Sequence, residues 1–308
     1  MTKPRAIEPP AVIRVVSPAS PIAEEKLQRG LQRLREAGYR IELAAHALDS
    51  DAYLAGSDTD RAADFEAAFL DPRVDAVYCS RGGYGCAKLL PYLDLDAIAA
   101  TGKMFLGFSD ITTLHLALNR RGLATLYAPM ALSFSIERAP WVHESFFNAL
   151  AGETRTPVAA PPGRTLVPGN AEGIVTGGCL CLLTDSIGTP DALDVTDRIL
   201  LIEDVDEHPH RVDAMLTHLI QAGIIQKAVG IVIGEMTSTD EKTDASIGGK
   251  PWREIVAERL IPLGLPCVID YPFGHAKNML TMPLGIRARL DAEAGTLTYL
   301  EPCAVRGD

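Results

Sequence analysis

Ala11–Ser17 (AVIRVVS), Ala23–Ala37 (AEEKLQRGLQRLREA) and Arg40–Ala44 (RIELA) follow one another at the start of the chain, and their order sets the fold. The first is a short β-branched run that stops at Pro18, the pattern of a buried strand. The second places Leu27, Leu31 and Leu34 on one helical face and stops at Gly38. The third reads as another strand. The alternation then continues through a helix over Asp58–Phe69, with Ala62, Phe65 and Phe69 on one stripe, and strands over Val74–Cys79 and Lys103–Phe108. Strands separated by helical stretches predict βαβ units, hence an N-terminal domain with a largely parallel sheet flanked by helices.

Residues 151–170 (AGETRTPVAAPPGRTLVPGN) are rich in Pro, Gly and Thr without a clean period and read as a linker. This divides the chain into domains over 1–150 and 171–308. The second half carries strand signals at Ile199–Ile202, Val229–Ile233 and Cys267–Ile269, and helices over Arg211–Ala222 and Trp252–Arg259. An apparent hairpin joins Ile286–Leu290 to Thr296–Leu300. The expectation is a mixed α/β domain with antiparallel strands at its end, and the whole is a two-domain α/β protein.

The 308 residues are 47% hydrophobic and carry a net charge of −11. Nucleic acid and anionic membrane both require local positive potential, so neither is expected as a partner. No apolar run reaches the roughly 18 residues of a membrane span. The N-terminal apolar run is broken by Arg14 and lacks a signal-peptide pattern, so a cytoplasmic location is expected. The six cysteines are scattered in apolar surroundings and read as small buried hydrophobes.

Four places could carry chemistry. Gly107-Phe108-Ser109-Asp110 joins an apolar strand to a helix over Ile111–Arg120. A serine on such a turn is exposed at the sheet end, next to helix N–H groups that stabilise negative charge. The nucleophile elbow reads G-x-S-x-G, and Ile111 replaces its second glycine. Ser109 or Asp110 could equally cap the helix. Ser80-Arg81-Gly82-Gly83-Tyr84-Gly85 follows a strand, where glycine amides can approach an oxyanion or simply form a tight turn. It is not a P-loop. Both loops fall at the carboxyl edge of one sheet, where ligands bind in open α/β folds.

Glu203 and Asp204 end an apolar strand, and His275 follows Gly274 in a stretch that reads as a loop. The first acid could orient a histidine or bind a metal, or both could simply leave the strand for solvent. The order Ser109, Glu203, His275 is the nucleophile–acid–base order of α/β hydrolases. The cluster Asp204, Asp206, Glu207, His208 and His210 lacks a standard zinc spacing and is interrupted by Pro209. It reads as a solvated loop capping the next helix, and no metal or other cofactor is expected. Cys179-x-Cys181 would put two thiols on one strand face, but no second Cys/His pair follows, so packing is the expectation.

Four segments together resemble the LD-carboxypeptidases of serine peptidase family S66. They are Ser80–Asp94 (SRGGYGCAKLLPYLD), Leu106–Leu118 (LGFSDITTLHLAL), Gly177–Asp191 (GGCLCLLTDSIGTPD) with Leu200–Leu219 (LLIEDVDEHPHRVDAMLTHL), and Tyr271–Asp291 (YPFGHAKNMLTMPLGIRARLD). The resemblance implies an active site between two α/β domains, with Ser109 as nucleophile, Glu203 as acid and His275 as general base. It assigns the oxyanion hole to backbone amides of Gly82 or Gly83 and of Asp110. It further implies metal-free cleavage of D-alanine from a murein tetrapeptide in the cytoplasm, usually by a homodimer. Arg81 is the candidate for the substrate's terminal carboxylate, or for a structural salt bridge, and Tyr84 is a second substrate-binding candidate. One departure is visible: the family commonly has G-G-N-L where this chain has Gly177-Gly178-Cys179-Leu180, which bears on substrate preference. Two rival functions are a microcin C-type immunity peptidase acting on peptidyl-aminoacyl nucleotides and a non-catalytic solute-binding protein.

Overall fold

The computed structural model describes residues 1–244, 246 and 249–306. The chain forms two compact units. The first comprises Met1–Arg155, Thr281–Gly285 and a C-terminal segment from Pro302, and the second comprises Thr156–Leu280 with Ile286–Glu301.

In the first unit, β1 (Val12–Val16), β2 (Arg40–Leu43), β3 (Ala76–Cys79), β4 (Met104–Gly107), β5 (Thr125–Tyr127) and β11 (Met282–Leu284) form one sheet in the order β11-β5-β4-β3-β1-β2. All pairs are parallel except β11 with β5. Parallel strands need crossovers, supplied here by α1 (Glu24–Glu36), α2 (Asp58–Leu70), α3 (Leu95–Ala100) and α4 (Thr112–Arg120), with α5 (Pro140–Leu150) following β5. The apolar spacing of α1 buries Leu27, Leu31 and Leu34, as its sequence predicts. Helix α2 starts where the Ser57 hydroxyl accepts the Asp60 N–H at 3.1 Å. Beneath it, Phe105 on β4 packs edge-on to Phe65 at 5.4 Å and against Phe69 at 5.8 Å.

The second unit is built on seven strands in the order β13-β12-β7-β8-β9-β10-β6. Its centre is parallel: β7 (Asn170–Cys179), β8 (Arg198–Val205), β9 (Gly230–Thr237) and β10 (Cys267–Ile269). Antiparallel strands β6 (Arg164–Val167), β12 (Arg287–Asp291) and β13 (Thr296–Tyr299) complete the edges, the last two being the expected hairpin. Ile199–Ile202 of β8 is wholly buried, which explains its unbroken apolar run. Helices α6 (Leu180–Asp185), α7 (Pro209–Gln221) and α8 (Trp252–Leu260) belong to this unit.

The chain passes from one unit to the other at Arg155–Thr156, within the stretch read as a linker. That stretch also supplies edge strand β6 and the first residue of β7. Its prolines, at 157, 161, 162 and 168, flank β6 and none lies within it. The region expected as a second domain over 171–308 also returns to the first unit, through β11 and the segment from Pro302. Among the described residues, no helix is long and apolar enough to cross a membrane.

The aromatic cluster makes the first unit sensitive at one position. Phe105→Ala should destabilise it by about 3–5 kcal/mol, read as a lower urea midpoint with an unchanged slope. A loss under about 1 kcal/mol would contradict this packing.

Candidate active site

Ser109 follows β4 with φ +68°, the left-handed region that a residue with a side chain adopts at a cost of about 1–3 kcal/mol. Residues Ser109–Ile111 form a short 3₁₀ turn that leads into α4. The helix-capping alternative does not hold. The N-cap of α4 is Ile111, with no side-chain cap, and the Asp110 carboxylate instead accepts the Cys86 N–H at 2.8 Å. Burial pushes the Asp110 carboxyl above its ordinary range, opposed by that hydrogen bond.

The turn is held from below. The Ser109 N–H donates to the Tyr127 hydroxyl at 3.2 Å. Buried His115 lies 2.9 Å from both the Gly107 carbonyl and the Thr125 hydroxyl. Burial pushes His115 down to about 4, so the ring is neutral near pH 7. A carbonyl can only accept, so Nε2–H donates to Gly107 and Nδ1 accepts from Thr125. The Asn119 amide completes the chain by donating to Thr125 and to the Leu123 carbonyl.

The glycine loop lies against this serine. A Cβ at Gly82 would sit 2.9 Å from Ser109 Cβ, 3.1 Å from its Oγ and 3.3 Å from the Asp110 nitrogen. No side chain fits there, so backbone reaches the serine directly. Gly83 has φ +117°, and a Cβ on it would collide with the Ser20 hydroxyl. Ser20 in turn donates its N–H to the Gly82 carbonyl and accepts the Tyr84 N–H, both at 3.3 Å. The buried Arg61 guanidinium pairs with Asp58 and donates to the Pro18 and Gly85 carbonyls. Arg81 donates to the Pro21 carbonyl at 3.1 Å. Tyr84 is exposed and tilted against Tyr53 at 5.9 Å.

In the second unit, Glu203 and Asp204 neither end their strand nor meet solvent. β8 continues to Val205 and both side chains are buried. A bulge lies beside Glu203: Ile202 pairs with Ile233 but Asp204 with Met236, so two residues of β9 oppose it. Glu203 Oε2 accepts the His275 Nδ1–H at 2.7 Å and the His275 backbone N–H at 3.0 Å. Gly274, at φ +85°, makes this approach; a Cβ there would lie 2.3 Å from Glu203 Cγ. With Nδ1 donating, Nε2 of the neutral ring is the basic nitrogen. Burial lowers the His275 pKa, but the charge and hydrogen bond of Glu203, then the charge of Asp204, outweigh it and leave it above 6.5. Asp204 itself is pushed up to about 6 by burial and by Glu203.

His208 and His210 are exposed, with rings stacked at 5.4 Å. His208 is the N-cap residue of α7 and Pro209 its first residue, so the loop leads into the next helix as expected, but no side-chain hydrogen bond caps that helix. Cys179 and Cys181 do not share a strand face, because Cys179 ends β7 and Cys181 lies in the first turn of α6. Sequence reasoning missed Tyr127, His115, Ser20 and Arg61. A polar side chain within an apolar helix, as at His115, was the available signal for one of them.

A serine on a strained strand-to-helix elbow and a histidine bound to a buried carboxylate are the parts of a nucleophilic hydrolase. The LD-carboxypeptidase N-terminal domain matches residues 13–128 and the LD-carboxypeptidase C-terminal domain residues 172–290. The chain therefore belongs to the LD-carboxypeptidase family, peptidase family S66, and is a hydrolase of the carboxypeptidase class. It is 41% identical to a Streptomyces coelicolor protein bearing a provisional carboxypeptidase name, over 98% of this chain and 97% of that one. It is 31% identical to the murein tetrapeptide carboxypeptidase of Pseudomonas aeruginosa, over 91% of this chain and 92% of that one. The crystal structure of a muramoyltetrapeptide carboxypeptidase from Oxalobacter formigenes superposes with a TM-score of 0.82 at 29% identity, covering 94% of this chain and 98% of that one.

The carboxylate fixes the direction of a pH test. In an NMR titration of the imidazole, His275 should lose its proton above 6.5, and Glu203→Gln should move the midpoint down. An unmoved midpoint would show that Glu203 does not set it.

Proposed function

We propose that this protein is a serine LD-carboxypeptidase that releases the terminal D-alanine of murein tetrapeptide during cytoplasmic peptidoglycan recycling, acting as a homodimer. The observation that carries the reading is the elbow at Ser109, with Gly82 against its hydroxyl, together with the Glu203–His275 hydrogen bond of 2.7 Å. The names of the relatives favour the substrate class. Family resemblance alone supports the location and the dimer.

In this mechanism His275 Nε2 takes the Ser109 proton while Glu203 holds the ring and stabilises the imidazolium. Ser109 Oγ attacks the penultimate carbonyl. The oxyanion is met by the Asp110 N–H and an amide of the Gly82-Gly83 loop. The imidazolium then protonates the amine of D-alanine, and water, deprotonated by His275, hydrolyses the acyl-enzyme. Arg81 and Tyr84 bind substrate, with the Arg81 guanidinium meeting the terminal carboxylate. Because the base must be neutral, activity falls as pH drops through the raised His275 pKa.

Ser109→Ala should lower kcat/KM on murein tetrapeptide by about 10³-fold or more, measured as released D-alanine. A wild-type rate would sink the assignment. Cleavage of a peptidyl-aminoacyl-adenylate without cleavage of tetrapeptide would instead identify an immunity peptidase. Gly82→Ala forces a methyl against Ser109 and should cost about 10²–10³-fold in kcat with a smaller change in KM. An unchanged kcat would remove the glycine loop from the oxyanion hole.

A further inference from the structure

Cys179 at the end of β7, Cys181 in α6 and Asp204 on β8 bring one ligand atom each to within 4.8 Å of one another. The two Sγ atoms are 3.5 Å apart. Asp204 Oδ1 lies 3.3 Å from Cys179 Sγ and 3.8 Å from Cys181 Sγ. A tetrahedral zinc-class ion has bonds of about 2.3 Å to sulfur and about 2.0 Å to oxygen. Its ligand edges are therefore about 3.8 Å between sulfurs and about 3.5 Å between sulfur and oxygen. All three observed separations fall within about 0.3 Å of those edges.

The carboxylate is also oriented for this role. Its Oδ2 accepts the Cys181 N–H at 2.9 Å, and its Oδ1 accepts the Val205 N–H at 2.8 Å. Such outer hydrogen bonds fix a ligating carboxylate in metal sites. Packing accounts for buried Cys179, but not for a partly exposed thiol meeting a buried carboxylate at Cys181. The partly exposed Cys181 also gives an ion a way in. The third ligand lies 23 residues from Cys181 in the chain and arrives through β7–β8 pairing, so no local spacing motif could show it.

We infer that Cys179, Cys181 and Asp204 form a binding site for a thiophilic divalent cation of the zinc class, next to the Glu203–His275 pair but made of residues that take no step in the proposed hydrolysis. Two sulfurs and one oxygen fill three tetrahedral positions and leave the fourth for water or an incoming ligand. Both thiols must lose their protons to solvent on binding, so each ion bound releases about two protons. The bound ion with two thiolates and one carboxylate carries a net charge of −1, against −3 for the three deprotonated ligands alone.

The test is a titration of the intact, phosphine-reduced protein with cobalt(II), a spectroscopic stand-in for zinc. One equivalent should produce a thiolate-to-cobalt charge-transfer band and visible bands of tetrahedral intensity, and zinc should abolish both. Cys181→Ser should remove most of the charge-transfer band and weaken binding at least about tenfold. A second measurement needs no variant: one equivalent of zinc should protect Cys181 from iodoacetamide, followed by mass spectrometry. Absence of the band, a band unchanged in Cys181→Ser, or undiminished alkylation would each overturn the site. Tetrapeptide hydrolysis is not the readout, so failure here leaves the proposed activity standing.

Discussion

A fully buried carboxylate at position 203 constrains the whole second unit. Left unpaired, such a charge would cost several kcal/mol, so the fold must deliver a partner to it. His275 is that partner, and it comes twice, through its ring and through its backbone amide. The delivery requires Gly274, whose positive φ and missing side chain let the loop close on the carboxylate. On the other side Gly234 of the bulged β9 leaves room, since a Cβ there would lie 3.0 Å from Glu203 Cβ. One ion-pair hydrogen bond thus explains two glycines, a bulge and the path of a loop.

The first unit solves a different problem by related means. A serine at positive φ is a local cost, and it persists only where its surroundings over-determine it. Here the Gly107 carbonyl, two residues before it, is tied to neutral His115, and the serine amide to Tyr127. The next residue is tied through its carboxylate to Cys86. The glycine loop is fastened by Ser20 and Arg61. The backbone near Ser109 is therefore rigid before any substrate arrives, which is the condition for an oxyanion site to act without reorganisation.

Much of this was legible in the sequence because the strands that carry the site are long or sharply bounded. β1, α1 and β8 announce themselves through apolar period or an unbroken buried run. β6 and β11 do not, because β6 lies in a stretch dense in Pro and Gly and β11 has Pro283 at its centre. β11 joins its sheet only through a partner more than a hundred residues away. The residues proposed to do the chemistry were likewise visible as motifs with turn glycines. Their supports were not, since Tyr127, His115 and Arg61 act through contacts that only the folded chain creates. The acids at 203 and 204 show the same limit: an apolar run followed by two acids cannot reveal that the strand continues past them.

Those two adjacent acids also show how one strand can hold two buried carboxylates. Like charges on neighbouring residues, both out of water, disfavour each other, and burial together with that repulsion raises Asp204 to about 6. Glu203 is matched to an imidazole that becomes more basic in return. Asp204 is matched to amide and thiol donors, which stabilise its charge. The bulge beside Glu203 makes the division workable, because it interrupts the β8–β9 register between Ile202 and Asp204. Had both acids shared one partner, the histidine would answer to two charges. Instead it is hydrogen-bonded to one and feels the other only at a distance, which leaves a single carboxylate to fix its tautomer and its orientation.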